Sequence, residues 1–163
     1  MSKRIKNSIG VSATNNGKTR QIEESKYIVD KERKCHLIDV IPMGAVRMTK
    51  SDKWKQPDHP DPKKRRREAV TRYFDFKNTV TKECNKLGIN LSNCLDVVFF
   101  IPMPESWSLK KKEKMNGMPH KSRPDIDNIL KGLMDALRKE DGDIWSIKAE
   151  KRYAFKGSIL IYD

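Results

Sequence analysis

The sequence predicts an α+β domain, a small mixed β-sheet with helices packed mainly on one face, and three observations carry that prediction. Short runs rich in β-branched and aromatic residues stand at Cys35–Pro42, Cys94–Pro102, Ile144–Tyr153 and Gly157–Tyr162. Two long segments, after Pro62 and over Asp125–Lys139, repeat apolar residues at helical spacing. The resulting order, β-α-β-(α)-α-β-β, contains no internal repeat and fits helices laid against one sheet.

Length and composition set the scale. A chain of 163 residues with 36% hydrophobic residues builds one modest core, not two. The expected division is a polar, basic N-terminal arm over residues 1–34, with a short helical piece at Glu23–Val29, and a folded domain over 35–163. A net charge of +13 points to a polyanionic partner, with a solvated basic surface as the plain alternative. Within that charge, residues 121–163 hold nine Lys or Arg against eight Asp or Glu. A basic chain has gathered its acids in one short region, as a bound cation would require. No apolar run reaches the length of a membrane span, and the start lacks the apolar core of a signal peptide. Cys35, Cys84 and Cys94 form no CxxC pair and read as reduced packing residues of a cytoplasmic protein.

Each element has its own signals. Cys35–Pro42 is the first strand, ended by proline, and a long connection follows from Met43 to Pro62. Pro62 opens and Gly88 closes a helical segment whose stripe is Val70, Tyr73, Phe74, Val80, Cys84 and Leu87. Cys94–Pro102 reads as a buried strand, and Glu105–Gly117 as a short lysine-rich helix or ordered loop. Over Asp125–Lys139, Ile126, Ile129, Leu130, Leu133, Met134 and Leu137 share one face. Asp127, Asn128, Lys131, Asp135 and Arg138 occupy the other. Two strands close the chain. Phe74, Phe76, Phe99 and Phe100 are expected in the core, and Trp54, Trp107 and Trp145 as packing residues rather than base-stacking platforms.

The chemistry concentrates in Ser122-Arg-Pro-Asp125-Ile-Asp127-Asn128-Ile-Leu-Lys131 and Glu140-Asp141-Gly142-Asp143. Phosphodiester hydrolysis needs hard oxygen ligands that hold Mg²⁺ beside a phosphate. Asp125 and Asp127 at a helix entrance supply two, and Lys131 follows one turn later on the same face, within reach of a phosphate or an attacking water. Asp141 completes the set if the fold brings it back. Plainer readings stand beside this one: first-turn aspartates cap helices, Asp127 and Lys131 form an ordinary surface pair, and Glu140–Asp143 is a polar turn. No glycine-rich nucleotide loop or Ser/His/Asp arrangement offers a small-molecule site, and His36, His59 and His120 are isolated.

Arg123-Pro124-Asp125-Ile126-Asp127-Asn128-Ile129-Leu130-Lys131, then Met134-Asp135-Ala136-Leu137, then an acidic pair before a strand, resembles the signature of RusA-like Holliday junction resolvases. Weaker similarity reaches upstream through Ile41-Pro42, Arg47, the helix after Pro62, and Phe100-Ile101-Pro102 with Trp107–Lys112. It covers about residues 36–163. The resemblance implies a homodimeric, Mg²⁺-dependent endonuclease, with Mn²⁺ as an alternative ion, that cuts four-way DNA junctions symmetrically in recombination and repair. It further implies a bacterial or phage, nucleoid-associated protein. By the same resemblance Asp125, Asp127 and Asp141 are the metal ligands and Lys131 the catalytic lysine. The family's Asp-Asp pair reads Glu140-Asp141 here, which leaves Asp143 as an alternative third ligand.

Two basic segments serve such a substrate. Lys63-Lys64-Arg65-Arg66-Arg67 sits at the expected helix start, where cations oppose the dipole and local stability does not explain them. Lys110–Lys112, Lys114, Lys121 and Arg123 lead into the acidic motif. Lys63, Lys64, Arg65, Lys121 and Arg123 are the candidate phosphate contacts, which position DNA without reading bases. Two other classes remain open: a structure-selective DNA binder without catalysis, and a small nuclease acting on flaps or single strands. Nicking of a labelled junction separates the first, and comparison with flap and linear substrates the second.

Overall fold

A computed structural model describes residues 34–89, 92–138 and 142–162, so residues 1–33 of the expected 1–34 arm, with its expected helical piece, and Asp141 lie outside the described residues. The described elements are β1 (Cys35–Ile38), α1 (Glu68–Leu87), β2 (Cys94–Pro102), α2 (Leu109–Met115), α3 (Ile126–Leu137), β3 (Ser146–Ala154) and β4 (Ser158–Tyr162). They form a mixed four-stranded sheet and three helices, the α+β class expected.

Strand order is β1-β4-β2-β3. β3 runs parallel to β2, while β4 pairs antiparallel with both β2 and β1. The two closing strands are therefore not neighbours, because β2 lies between them. β2 is central and buried on both faces from Val97 to Ile101, which explains the apolar run there. Leu95, Val97, Phe99 and Ile101 point to one face, where they meet Tyr73, Phe76, Val80 and Cys84 of α1 and Ile129 and Leu133 of α3. Val98 and Phe100 alternate to the other, joining Ala154, Leu160 and Tyr162.

Several local expectations need correction. β1 ends at Ile38, well before Pro42, because the chain then leaves the sheet to pack Met43, Ala45, Val46 and Met48 against the helical side. The segment after Pro62 is not yet α-helix: Pro62–Lys64 is a 3₁₀ turn, and α1 begins only at Glu68, after an extended Arg67. Gly88 does close α1, at φ 64° in the left-handed region. Phe76, not Phe74, completes the buried stripe, and Leu87 is exposed. Phe74 is half-buried, its ring covered by the Arg66 guanidinium at 4.6 Å and Lys77 Nζ at 4.8 Å. Cys94 is exposed rather than packed. Trp54 and Trp145 are 86% and 78% exposed, so neither packs as expected; Trp107 does, against Tyr153 at 5.3 Å. Among the described residues no helix is long and apolar enough to cross a membrane.

Candidate functional site

α3 lies in the crossover between the parallel strands β2 and β3, and its start is held from the sheet. Residues 117–120 run along the outer edge of β3: Gly117 N–H donates to the Tyr153 carbonyl, Tyr153 N–H to Met118, and His120 N–H to Lys151. Lys151 then reaches from β3 and donates to the carbonyls of Ser122 (2.7 Å) and Pro124 (2.6 Å). An ammonium gripping two loop carbonyls, with Arg123 between them, fixes the backbone that delivers Asp125. Beneath the loop, the His120 ring meets Tyr153 at 4.3 Å, and Ser122 Oγ lies 3.4 Å from both His120 Nε2 and Tyr153 Oη. Burial and then the nearby Lys151 charge push the His120 pKa down, which keeps a neutral ring in this support. Nothing in the sequence singled out Lys151, because its target is backbone.

Asp125 occupies the N-cap position of α3 with extended backbone, yet its carboxylate makes no capping hydrogen bond. Asp127 follows in the first turn, and both residues are exposed. Among the described residues neither side chain has a hydrogen-bond or ion-pair partner. That removes the cap reading of Asp125 and the Asp127–Lys131 pair. Lys131 instead lies 3.8 Å from Asp135, one turn further along. Asp135 is itself anchored, accepting a 2.7 Å hydrogen bond from the hydroxyl of the buried Tyr73 on α1. Burial first, and then the hydrogen bond to Asp135, push the Tyr73 hydroxyl well above the usual phenol range, so it stays a donor. Asp127, Lys131 and Asp135 thus descend α3 at four-residue intervals, with only the last tied to another helix.

Asp141 lies outside the described residues, and among those described no three His, Cys, Asp or Glu side chains group as a metal site. Asp143 is engaged elsewhere, 2.5 Å from the Arg138 guanidinium. The donor set that is described fits a hard divalent cation in kind: two exposed carboxylates, separated by Ile126, that make no hydrogen bond or ion pair among the described residues.

The basic run divides in two. Arg67 donates to the buried carboxylate of Asp52 (2.7 Å) and to the Arg47 carbonyl (2.9 Å), and Arg66 covers Phe74. These two cations have structural work, contrary to the expectation that local stability does not explain the run. Lys63, Lys64 and Arg65 are exposed, Arg65 with its Nε on the His59 carbonyl. Lys121 and Arg123 are exposed beside Asp125, whereas Lys111 is drawn over the Trp107 ring at 3.9 Å.

The family profile described as endodeoxyribonuclease RusA matches residues 42–161. Over 68 residues the chain is 35% identical to the uncharacterized protein YqaN of Bacillus subtilis (strain 168), a stretch covering 37% of this chain and 48% of that protein. The match thus spans about half the length of that curated relative. No solved structure matches. RusA-type enzymes are Holliday junction endodeoxyribonucleases, hydrolases of phosphodiester bonds that generally depend on a divalent metal. With the match covering most of the chain and enclosing both aspartates, Lys131 and the helix α3 that presents them, this protein belongs to the RusA endodeoxyribonuclease family.

Proposed function

We propose that this chain is a Mg²⁺-dependent endonuclease that resolves four-way DNA junctions by paired symmetric nicks, acting in recombination and repair as a homodimer. The observation that carries the reading is the pair of exposed carboxylates of Asp125 and Asp127 at the start of α3, without a partner among the described residues and within the family match. Carboxylates in a first helical turn ordinarily satisfy free backbone N–H groups. Leaving Asp125 unused for capping forgoes about 1 kcal/mol of helix stability, a cost that suits ligands kept free for an ion.

Asp125, Asp127 and Asp141 would hold the ion, which when bound supplies Lewis acidity beside the scissile phosphate and a more acidic water. Lys151 keeps the Ser122–Pro124 backbone in place, so that Asp125 enters at a set position. Lys131, 63% exposed and only loosely paired with Asp135, is free to contact the phosphate and offset charge developing on its oxygens. Lys121 and Arg123 draw the DNA backbone toward the carboxylates, and the exposed Lys63, Lys64 and Arg65 add further phosphate contacts. Products carry 5′-phosphate ends. Two copies about a two-fold axis suit a substrate that needs one nick on each of two strands.

The test is cleavage of a labelled four-way junction by Asp127→Asn. Loss of nicking by at least 100-fold is expected, with junction binding retained and wild-type nicking abolished by EDTA. Undiminished nicking by the variant, or by wild type in EDTA, overturns the metal mechanism; binding without any nicking by wild type makes the chain a non-catalytic binder.

A further inference from the structure

Trp54 is 86% exposed, although an indole offers more apolar area for burial than any other side chain. Its backbone is tightly held. Trp54 ends the 3₁₀ turn Lys50–Lys53, and its own N–H donates to the Ser51 carbonyl. At the centre of that turn Asp52 is buried, accepting from the Thr49 N–H (2.7 Å), the Thr49 hydroxyl (2.8 Å) and Arg67 (2.7 Å). Arg67 is the residue from which α1 starts, so the turn is tied to the longest helix. The chain after Trp54 is tied too: Gln56 pairs with Arg65, and its carbonyl accepts the Arg66 N–H at 2.9 Å. That pairing sets the exposed Lys63-Lys64-Arg65 run beside the tip, and Lys50 is exposed on its other flank. Asp58 and Asp61 are the acids of this stretch, and Asp61 is engaged in accepting the Lys63 N–H.

From this we infer that Trp54 is a stacking platform for a DNA base uncovered at the branch point, with Lys63, Lys64 and Arg65 gripping the adjoining phosphates. A rigid aromatic face among cations matches nucleic acid in both of its chemistries, the π-face of a base and the charge of its backbone. Linear duplex presents the charge but keeps its bases stacked; a branch point opens the stack. The platform therefore favours junction over duplex. The inference rests on the junction reading and adds to it the residue that senses the branch.

The experiment compares full-length Asp127→Asn with Asp127→Asn/Trp54→Ala and Asp127→Asn/Trp54→Phe, so that DNA is bound without being cut. Each is titrated into a four-way junction carrying 2-aminopurine beside the branch point, and into linear duplex of the same length and salt. Stacking on an aromatic side chain contributes about 1–3 kcal/mol per base, which converts to roughly 5- to 150-fold in Kd. Trp54→Ala is expected to weaken junction binding within that range, to change duplex binding less than about twofold, and to abolish the quenching of 2-aminopurine; Trp54→Phe retains most of both. Unchanged junction affinity, an equal loss on both DNAs, or a change of oligomeric state in place of affinity overturns the platform. A parent that binds junction no better than duplex overturns the junction reading itself, whereas a parent preference that persists undiminished in Trp54→Ala overturns only the platform.

Discussion

Gly132 decides how closely the segment after β1 approaches α3. A Cβ built there would stand under 3.0 Å from the Met43 carbonyl oxygen, and that oxygen belongs to backbone that cannot rotate aside. The same approach is fixed by Ala45 N–H donating to the Asn128 carbonyl at 3.0 Å. In an exposed helix Gly→Ala gains roughly 1 kcal/mol of helix propensity. Here the overpacking cost, typically about 1–3 kcal/mol, wins. Gly132→Ala is expected to lower stability by up to about 2 kcal/mol in urea unfolding, and a stabilised variant would show that the segment moves away freely. The cysteines differ for a comparable local reason. Burial, and then the Glu83 charge, push the Cys84 thiol up to about 11, whereas Cys94 is exposed. At pH 7.5 an alkylating reagent is therefore expected to modify Cys94 promptly and Cys84 only on unfolding; equal rates in the native protein would refute the packing of Cys84.

At the scale of elements, the Asp52–Arg67 contact joins the 3₁₀ turn of the tip to the start of α1. The hydrogen bond from Arg67, then those from the Thr49 N–H and hydroxyl, hold the Asp52 carboxyl well below the usual carboxylate range. A carboxyl depressed in the folded state contributes stability that is full above its unfolded value, about 3.9, and is lost as pH falls toward its folded one. The tie is thus intact at neutral pH and fails only in strong acid. Asp52→Asn removes the charge at nearly constant shape. Its Tm is expected to fall below wild type at pH 7, and the gap to narrow steadily between about pH 4 and pH 2. A gap independent of pH would mean that Asp52 acts by shape alone. Through Gln56 the same tie reaches Lys63–Arg65, so loosening it disturbs both parts of the proposed platform.

For the whole molecule, one sheet organises everything described. β2 sits in the middle, α1 and α3 cover one face, and residues 117–124 bind the outer edge of β3 and enter α3 at Asp125. One copy offers one Asp125–Asp127 pair, while symmetric resolution needs a nick on each of two strands. The proposed homodimer follows from that count. Sedimentation is expected to give twice the 19.0 kDa chain mass at micromolar concentration, unchanged in Trp54→Ala. A monomer persisting both free and on the junction would remove the paired-nick mechanism while leaving single nicks possible.

The amino-acid sequence by itself determined the fold class, the element order and the candidate motif. These are local properties: β-branched runs make strands, 3.6-residue spacing makes an amphipathic α3, and Asp125, Asp127 and Lys131 lie within two turns of one helix. It misjudged the start of α1 because Pro62 and the basic run suit a helix start as well as a 3₁₀ turn, whereas the extended Arg67 is engaged by Asp52 and the Arg47 carbonyl, fifteen and twenty residues upstream. It could not show Lys151 on the loop carbonyls, Tyr73 on Asp135, or Trp54 left in water. Each depends on which distant segments meet across the sheet and helices, and a linear pattern carries no record of those meetings. Burial and long-range pairing belong to the tertiary structure, and among the described residues they separated Asp125 and Asp127 from the engaged Asp52, Asp135 and Asp143.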